Sequence, residues 1–250
     1  MLELRNISFN VNGDGKDKEI IRDISLTIND NRLVVVTGPN GGGKSTLARL
    51  IMGIEKPSSG KLILDGKDIT DLSVTERARA GIGFAFQQPV RFKGIQVFDL
   101  IRMATGKDTT MTDACNYLSA VGLCARDYID REVNASLSGG ELKRIEIATV
   151  LAKGSRLSIF DEPEAGIDLW SFSNLIDVFK GMRKNIKNGS IMIISHQERI
   201  LEIADEIIVI KDGMIAAEGE PQTILPTLIG SADAVRSCEK GSAVKGEKAC

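Results

Sequence analysis

The segment GPNGGGKST, residues 38–46, constrains the fold of this chain more than any other stretch. It follows the apolar run LVVVT and precedes the helical pattern LARLIMG, so the pattern Gly38-x4-Gly43-Lys44-Ser45 stands between a strand and a helix. Glycines in such a turn let backbone N–H groups converge on phosphate oxygens, and a helix N-terminus favours an anion. The sequence therefore predicts a phosphate-binding loop at the carboxyl end of a buried strand.

The side chains of this loop have separate expected roles. Lys44 is expected to reach the β- and γ-phosphates of a nucleotide, and the hydroxyl of Ser45 to bind Mg²⁺. The alternative is a glycine-rich turn that binds nothing, which the strand–turn–helix context makes the weaker interpretation. The candidate nucleotide contacts are the nine residues of the segment: Gly38, Pro39, Asn40, Gly41, Gly42, Gly43, Lys44, Ser45 and Thr46.

Unbroken apolar runs recur along the chain and predict an α/β fold with a mainly parallel sheet. They do not alternate with polar residues, so both faces of the strands are expected to be buried, and helical patterns separate them. The N-terminal segments LELRNISFNV and DISLTI do alternate, and KLILDG ends in an Asp-Gly turn. These segments predict a small antiparallel subdomain. Helical periodicity without a clear strand predicts an inserted helical subdomain at about residues 95–150.

The domain prediction is one α/β domain over residues 1–228 and a flexible tail over 229–250, because the tail is too small and polar to offset its ordering entropy by burial. Four cysteines without a C-x-x-C pair and one histidine supply a metal site poorly. The net charge of −2 gives no indication of a nucleic-acid partner. The sequence shows neither a membrane-length apolar run nor a signal peptide, so we expect a cytoplasmic chain without direct membrane insertion.

Polar residues follow two of the predicted strands. Asp161 and Glu162 come after LSIF, and the only histidine, His196, comes after IMIIS. An Asp-Glu pair is usually a solvated turn and a lone histidine is more often structural, but an open α/β sheet binds ligands beyond the carboxyl ends of its strands. We therefore expect Asp161 to hold Mg²⁺, Glu162 to orient or deprotonate a water, and His196 to contact the γ-phosphate.

The segment LSGGE, residues 137–141, begins a strong helical pattern. Ser138 as N-cap and Glu141 three residues later predict a capping box. The alternative is a second phosphate site at the helix N-terminus. Since the chain already has one phosphate-binding loop, a second site would serve a nucleotide held by another molecule.

These motifs, in this order, resemble those of the ABC-type ATPases over about residues 1–225. GPNGGGKS resembles the Walker A motif, Gln87 the glutamine of the Q-loop and LSGGE the family signature. LSIFDEP resembles Walker B with its catalytic glutamate, AGID the D-loop with Asp168, and His196 the switch histidine. The resemblance implies a P-loop NTPase fold of ABC type and hydrolysis of ATP with Mg²⁺. The implied catalytic residues are Glu162, His196 and Gln87, and the implied metal ligands are Ser45, Gln87 and Asp161.

The resemblance also implies a head-to-tail dimer that forms with ATP. In such a dimer the signature and D-loop of one subunit cover the ATP bound by the other; the residues are Ser138, Gly139, Gly140, Glu141 and Asp168. Two positions depart from the family pattern. Val11, with Phe9 two residues earlier, stands near the place where many members stack an aromatic ring on adenine, and it offers only apolar contact. Glu141 replaces a glutamine, which removes an amide donor and adds a charge near the facing nucleotide.

Residues 89–104 are expected to bind a partner protein. The segment is broken by Gly94 and carries many apolar side chains beside Arg91 and Lys93. Some of them must pack inward, while others are expected to form an exposed patch with a charged rim. Phe92 is expected to be exposed because it lies in the loop, and Phe98 to belong to the helical subdomain.

The segments FAFQQPVRFKGIQV and SHQERIL resemble SufC, the ATPase of the Suf iron–sulfur cluster assembly machinery. This resemblance implies a soluble SufB- or SufD-like scaffold as the partner, in a SufBC- or SufBCD-like complex. The first alternative is the ATP-binding subunit of a membrane transporter. A DNA-repair or translation ABC protein is the other alternative, disfavoured because the sequence has no coiled-coil insertion, basic patch or second cassette.

Overall fold

The computed structural model describes residues 1–228 except 14, 15, 107, 135 and 187. The predicted tail, 229–250, lies outside the described residues. No helix among the described residues is long and apolar enough to cross a membrane.

The chain forms ten strands and eight assigned helices within the described residues. In chain order they are β1 (Leu2–Gly13), β2 (Lys16–Ile28), β3 (Leu33–Thr37), α1 (Lys44–Met52), β4 (Ser59–Leu64), β5 (Lys67–Asp68), α2 (Val74–Arg79), β6 (Ile82–Ala85), α3 (Val97–Thr105), α4 (Met111–Ala120), α5 (Ala125–Tyr128), α6 (Gly139–Lys153), β7 (Leu157–Asp161), α7 (Leu169–Asn185), β8 (Ser190–Ile194), α8 (Glu198–Leu201), β9 (Glu206–Lys211) and β10 (Met214–Gly219). Residues 221–228 are also helical.

Six strands form the large sheet in the order β10-β9-β3-β8-β7-β6, and all neighbours are parallel except β10 and β9. The carboxyl ends of β3, β8 and β7 are aligned, because Ile194 of β8 is in register with Val36 on one side and Asp161 on the other. The loops after these strands therefore emerge at one edge. The mainly parallel α/β fold expected from the sequence is confirmed.

Four strands form the second, antiparallel sheet in the order β2-β1-β4-β5. The predicted Asp-Gly turn joins β4 to β5, and both Asp65 and Gly66 have positive φ, 49° and 77°. That conformation is typical of a two-residue hairpin turn whose twist matches the flanking strands. The expected antiparallel part of the fold is thus present.

Both faces of the large sheet are buried at β3, β7 and β8, which explains why these strands are unbroken apolar runs, whereas β10 at the edge is partly exposed. In β3, Leu33 and Val35 belong to a core cluster that also contains residues of α3, α4, α6 and α7. Val34 and Val36 point the other way, into a cluster with α1 and the antiparallel sheet. Helices α3 to α6 lie between β6 and β7 in the chain, and α6 packs against α3, α4 and β6.

Candidate active site

The loop between β3 and α1 is tightly curled, and two of its positions require glycine. Gly38 has φ 132°, and a Cβ atom there would lie 2.0 Å from the carbonyl oxygen of Ile210. Gly43 has φ 107°, and a Cβ atom would lie 2.7 Å from Cδ1 of Ile21. L-residues with side chains rarely adopt such φ values. The glycines therefore allow the loop backbone to pack directly against β9 and β2.

Lys44 is the first residue of α1, and its side chain reaches back into this loop. Its ammonium donates hydrogen bonds to the carbonyl oxygens of Gly38 and Pro39, both at 2.8 Å, and the residue is only 5% exposed. Burial lowers the pKa of Lys44, while the carboxylates of Glu162 and Asp161 act in the opposite direction. The ammonium faces a cavity of about 340 Å³, which is lined by Ile20, Asn40, Gly41, Gly43, Lys44, Ser45, Thr46, Gln87 and Glu162.

Ser45 and Asp161 come together from α1 and the end of β7. The Ser45 hydroxyl donates to Oδ1 of Asp161 at 3.1 Å. Asp161 is 4% exposed, and this burial raises the pKa of its carboxyl group. Hydroxyl and carboxylate oxygens are the ligands that Mg²⁺ prefers, and a cation beside them offsets the cost of burying the carboxylate. The residues present therefore fit a magnesium ion.

Glu162 is held in an uncommon backbone conformation, with φ 44°. Its carboxylate lies between two side chains from other loops: Nε2 of Gln87 donates to Oε2 at 2.5 Å, and Nε2 of His196 is 3.8 Å from Oε1. Non-glycine residues in the left-handed region cost free energy and cluster at functional sites. The structure thus brings the predicted Gln87, Glu162 and His196 to one point beside the cavity.

His196 is 38% exposed, and its partial burial and the nearby Lys44 both affect its titration. Burial is the main cause that lowers the pKa of its imidazole, and the positive charge of Lys44 adds to it. Glu162 acts in the opposite direction. The neutral imidazole, with one N–H donor and one acceptor nitrogen, is therefore the form present at pH 7.

Asp168 is the N-cap of α7. Its carboxylate accepts hydrogen bonds from the backbone N–H and the hydroxyl of Ser171, at 3.0 and 2.7 Å. The residue is exposed, and it is not among the described residues that line the cavity of Lys44. The D-loop aspartate thus stabilises the start of a helix in this single chain.

The predicted capping box at the start of α6 is present. The backbone N–H of Glu141 donates to the Ser138 hydroxyl at 3.3 Å, and that of Ser138 donates to Oε2 of Glu141 at 2.6 Å. The phenol of Tyr128 donates to Oε1 of Glu141 at 2.5 Å, and this bond is the main cause that lowers the pKa of the Glu141 carboxyl group. The carboxylate is therefore turned back towards its own subdomain.

The signature glycines lie on an open surface. A Cβ atom at Gly139 or Gly140 would meet no atom of the described residues within 4 Å, and Ser138 and Gly139 are exposed. Within the described part of the chain, the cavity around Lys44 has no lining residue from 138–141. A single chain therefore keeps the phosphate-binding loop and the signature apart.

Three contributions were missed by the sequence analysis. Ile20 lines the cavity, whereas Val11 does not, and Val11 is 45% exposed on the same hairpin. The alternation of β2, whose next residue Ile21 is buried against Gly43, was the available signal for this placement. Lys143 and Glu146 of α6 contact the backbone at Phe86 and Gln87, and no local pattern marked them.

Comparisons with known proteins show the family of this chain. A family model described as ABC transporter matches residues 21–165. An uncharacterised ABC transporter ATP-binding protein of Methanocaldococcus jannaschii is 38% identical over 216 residues, which cover 83% of this chain and 86% of that protein. The lipopolysaccharide export system ATP-binding protein of Haemophilus influenzae is 30% identical over 214 residues, covering 84% and 88%.

A solved structure supports the fold independently. A dimeric ATP-binding cassette in a post-hydrolysis state, bound to ADP and Pi, has a TM-score of 0.78 to this chain at 23% identity and covers 88% of this chain and 99% of its own. The family model extends over more than half of the chain, and it includes the loop of Lys44 as well as Asp161 and Glu162. The chain therefore belongs to the ABC transporter family and is one of its ATP-binding, ATP-hydrolysing cassettes.

Proposed function

We propose that this chain hydrolyses MgATP at two composite sites of a head-to-tail dimer, and that the cycle rearranges a soluble iron–sulfur cluster scaffold. The observation that carries the catalytic part is the position of the Glu162 carboxylate, between Gln87 and His196 and next to Lys44. A water placed against that carboxylate would also be close to a nucleotide in the cavity.

The proposed roles follow from the contacts. On ATP binding, the Lys44 ammonium exchanges the carbonyls of Gly38 and Pro39 for β- and γ-phosphate oxygens. Ser45 and Asp161, with Gln87, would hold a magnesium ion, which would supply positive charge to the phosphates. These are the groups that fix the nucleotide before the reaction.

Glu162 is the proposed general base. It takes a proton from the attacking water, the water oxygen forms a bond to the γ-phosphorus, and the bond to the bridging oxygen of ADP breaks. Neutral His196 donates its N–H to a γ-phosphate oxygen and thereby favours the in-line geometry. ADP and inorganic phosphate are the products.

The second half of each composite site is the N-terminus of α6 from the facing subunit. This helix has 15 residues, and its first turn presents exposed backbone at Ser138 and Gly139. Such a terminus favours phosphate. The Glu141 carboxylate stays in the first turn, where the Tyr128 hydroxyl and the Ser138 N–H both donate to it and partly offset its negative charge. This arrangement supports a signature in which glutamate replaces glutamine.

The proposed partner surface is the apolar groove next to the Q-loop. The groove has a volume of about 160 Å³, and its exposed members are Phe86 at 39% and Val90 at 47%. Phe92 was expected to be exposed, but it is half-buried against the helical core because its N–H donates to the Val133 carbonyl at 2.8 Å. Phe98 packs against the same core. The accessible apolar side chains are therefore Val90, within segment 89–104, and Phe86, just before it.

A SufB- or SufD-like scaffold in the cytoplasm is the partner proposed for this groove. The support is the resemblance of FAFQQPVRFKGIQV and SHQERIL to SufC, together with the glutamate at position 141. The second candidate, the ATP-binding subunit of a membrane transporter, is favoured by the transporter names of relatives such as the lipopolysaccharide export protein. The two candidates share the ATPase and differ in the chemistry of the partner.

Affinity purification of the tagged chain, with and without detergent, separates these candidates. We expect wild type to recover a soluble scaffold without detergent and Val90→Asp to lose it, since an unpaired carboxylate buried in an apolar contact costs on the order of several kcal/mol. Met214→Asp is the matched control, because Met214 is also 47% exposed but lies on β10. An integral membrane protein recovered only with detergent supports the transporter. Full recovery by Val90→Asp contradicts the assigned surface.

A further inference from the structure

Helix α6 carries a buried ion pair one turn beyond the signature. The side chains of Lys143 and Glu146 are 1% and 15% exposed, and Nζ of Lys143 is 3.5 Å from Oε2 of Glu146. Among the described residues, that oxygen has no hydrogen-bond partner by geometry. Burial lowers the pKa of Lys143 and raises that of Glu146, so the pair occupies an environment that disfavours both charges. Such a pair is costly unless further contacts compensate.

The further contacts are all to the main chain of the Q-loop. The Lys143 ammonium donates to the carbonyl of Phe86 and, at 3.2 Å, to that of Gln87. Oε1 of Glu146 accepts the N–H of Phe86 at 2.9 Å. Two side chains of one helix therefore bind the backbone N–H of Phe86 and the carbonyls of both positions. Apolar side chains could fill the same volume, but they could not make these directed bonds.

We propose that Lys143 and Glu146 are positioning residues that fix the Q-loop so that Gln87 meets Glu162. The chain of contacts is continuous: Lys143 and Glu146 hold the backbone of Phe86 and Gln87, and the Gln87 amide donates to the Glu162 carboxylate. Lys143 also interacts electrostatically with the carboxylates of Asp161 and Glu164. Its ammonium therefore supplies positive charge near the acidic residues of the site.

The same pair links the two ends of the proposed composite site. Lys143 lies five residues after Ser138 on a continuous helix, so a displacement of the signature also displaces the groups that hold Gln87. Phe86 belongs both to the held backbone and to the apolar groove. This step rests on the proposed function, because it assumes that a facing nucleotide contacts the signature.

The first test is a cycle between the pair and Gln87. Lys143→Met combined with Glu146→Leu removes all the hydrogen bonds of the pair, while an apolar replacement of a buried ion pair usually preserves the fold. We expect kcat to fall about tenfold, KM for MgATP to change less than about twofold, and the melting temperature to be retained or raised. In a Gln87→Ala background the same double substitution is expected to have almost no further effect, because the pair acts through Gln87.

An unchanged kcat in the wild-type background overturns the proposal. An equal loss in both backgrounds does so too, because the pair would then act independently of Gln87. Should the apolar pair fail to fold, Lys143→Gln with Glu146→Gln provides a second, uncharged variant for the same cycle. Its shorter amide cannot reproduce both contacts of the ammonium, so the same split between kcat and KM is expected.

The second test needs no nucleotide and therefore remains informative if the proposed reaction or dimer is wrong. Hydrogen exchange of the peptide covering 84–92 is expected to accelerate by about tenfold at the Phe86 amide in the apolar variant. Lys153→Met is the matched control, since Lys153 of the same helix also donates to a carbonyl, that of Ile82 at 2.7 Å. Two results would contradict the positioning role. One is an unchanged exchange rate of the Q-loop in the apolar variant, and the other is an equal acceleration in Lys153→Met.

Discussion

Replacing Lys44 by methionine tests the phosphate-binding role with little change in side-chain length. In the free protein the ammonium is already satisfied by the carbonyls of Gly38 and Pro39. The contribution of Lys44 to the binding free energy is therefore the difference between the free energy of these hydrogen bonds and that of the hydrogen bonds to phosphate. The bonds to the carbonyls have one charged partner and the bonds to phosphate have two, so we take about 1.5 kcal/mol for each exchange, the lower end of the range for hydrogen bonds to charged groups.

Two such exchanges give about 3 kcal/mol, which corresponds to a loss of roughly 150-fold in affinity for MgATP. The fold is expected to survive, because burial already disfavours the charge of Lys44 and methionine does not carry that cost. Calorimetric titration with MgATP measures the affinity, and thermal unfolding without nucleotide checks the fold.

Lys153→Met is the control for this measurement. Lys153 is also partly buried, burial also lowers its pKa, and its ammonium also bonds a main-chain carbonyl, but it does not line the cavity. We expect its MgATP affinity to equal that of wild type. An affinity of Lys44→Met within about threefold of wild type, or an equal loss in Lys153→Met, would refute the reasoning.

Three further predictions concern the rest of the site. Glu162→Gln is expected to bind MgATP but to hydrolyse it ~10²–10⁴-fold more slowly, and to elute as a dimer with MgATP; near-normal turnover and a monomer contradict the role of base. Gly38→Ala is expected to abolish nucleotide binding, because its Cβ would lie 2.0 Å from the Ile210 carbonyl oxygen; retained binding in calorimetry contradicts the loop geometry. Tyr128→Phe is expected to lower stability by about 1 kcal/mol at pH 7. The folded pKa of Glu141 lies below its usual 4.5, so this contribution is complete above pH 4.5 and is lost as the pH falls through the folded pKa. The melting-temperature difference from wild type must therefore shrink in acid, and a constant difference refutes the assignment.

The sequence was sufficient for the features that depend on local pattern. The phosphate-binding loop was recognisable because glycine spacing, strand and helix all coincide between residues 33 and 52. The β4–β5 turn was recognisable from Asp65 and Gly66, and the α6 capping box from Ser138 and Glu141. Each of these is decided by residues close together in the chain, where backbone conformation and hydrogen bonding follow residue type directly.

Features that depend on long-range packing were not accessible in the same way. Lysine and glutamate are common in helices, so Lys143 and Glu146 do not stand out in the sequence. Their burial depends on the position of the Q-loop, which follows β6. Phe92 was expected to be exposed because it lies in a loop, but its backbone bonds to Val133, more than 40 positions later, draw it against the core. Ile20 rather than Val11 lines the cavity because the hairpin register decides which residue approaches the loop. Tertiary pairing, rather than local propensity, determines all three.

In the proposed dimer the signature of one chain completes the ATP site of the other, and a complementation assay can detect this directly. Lys44→Met and Ser138→Arg chains are each expected to be inactive alone. In an equimolar mixture, half of the dimers would contain one intact phosphate-binding loop facing one intact signature. We therefore expect mixing to recover up to about a quarter of the wild-type ATPase rate. Activity that stays at the level of the separate variants, at chain concentrations where wild type is fully active, would contradict the composite site.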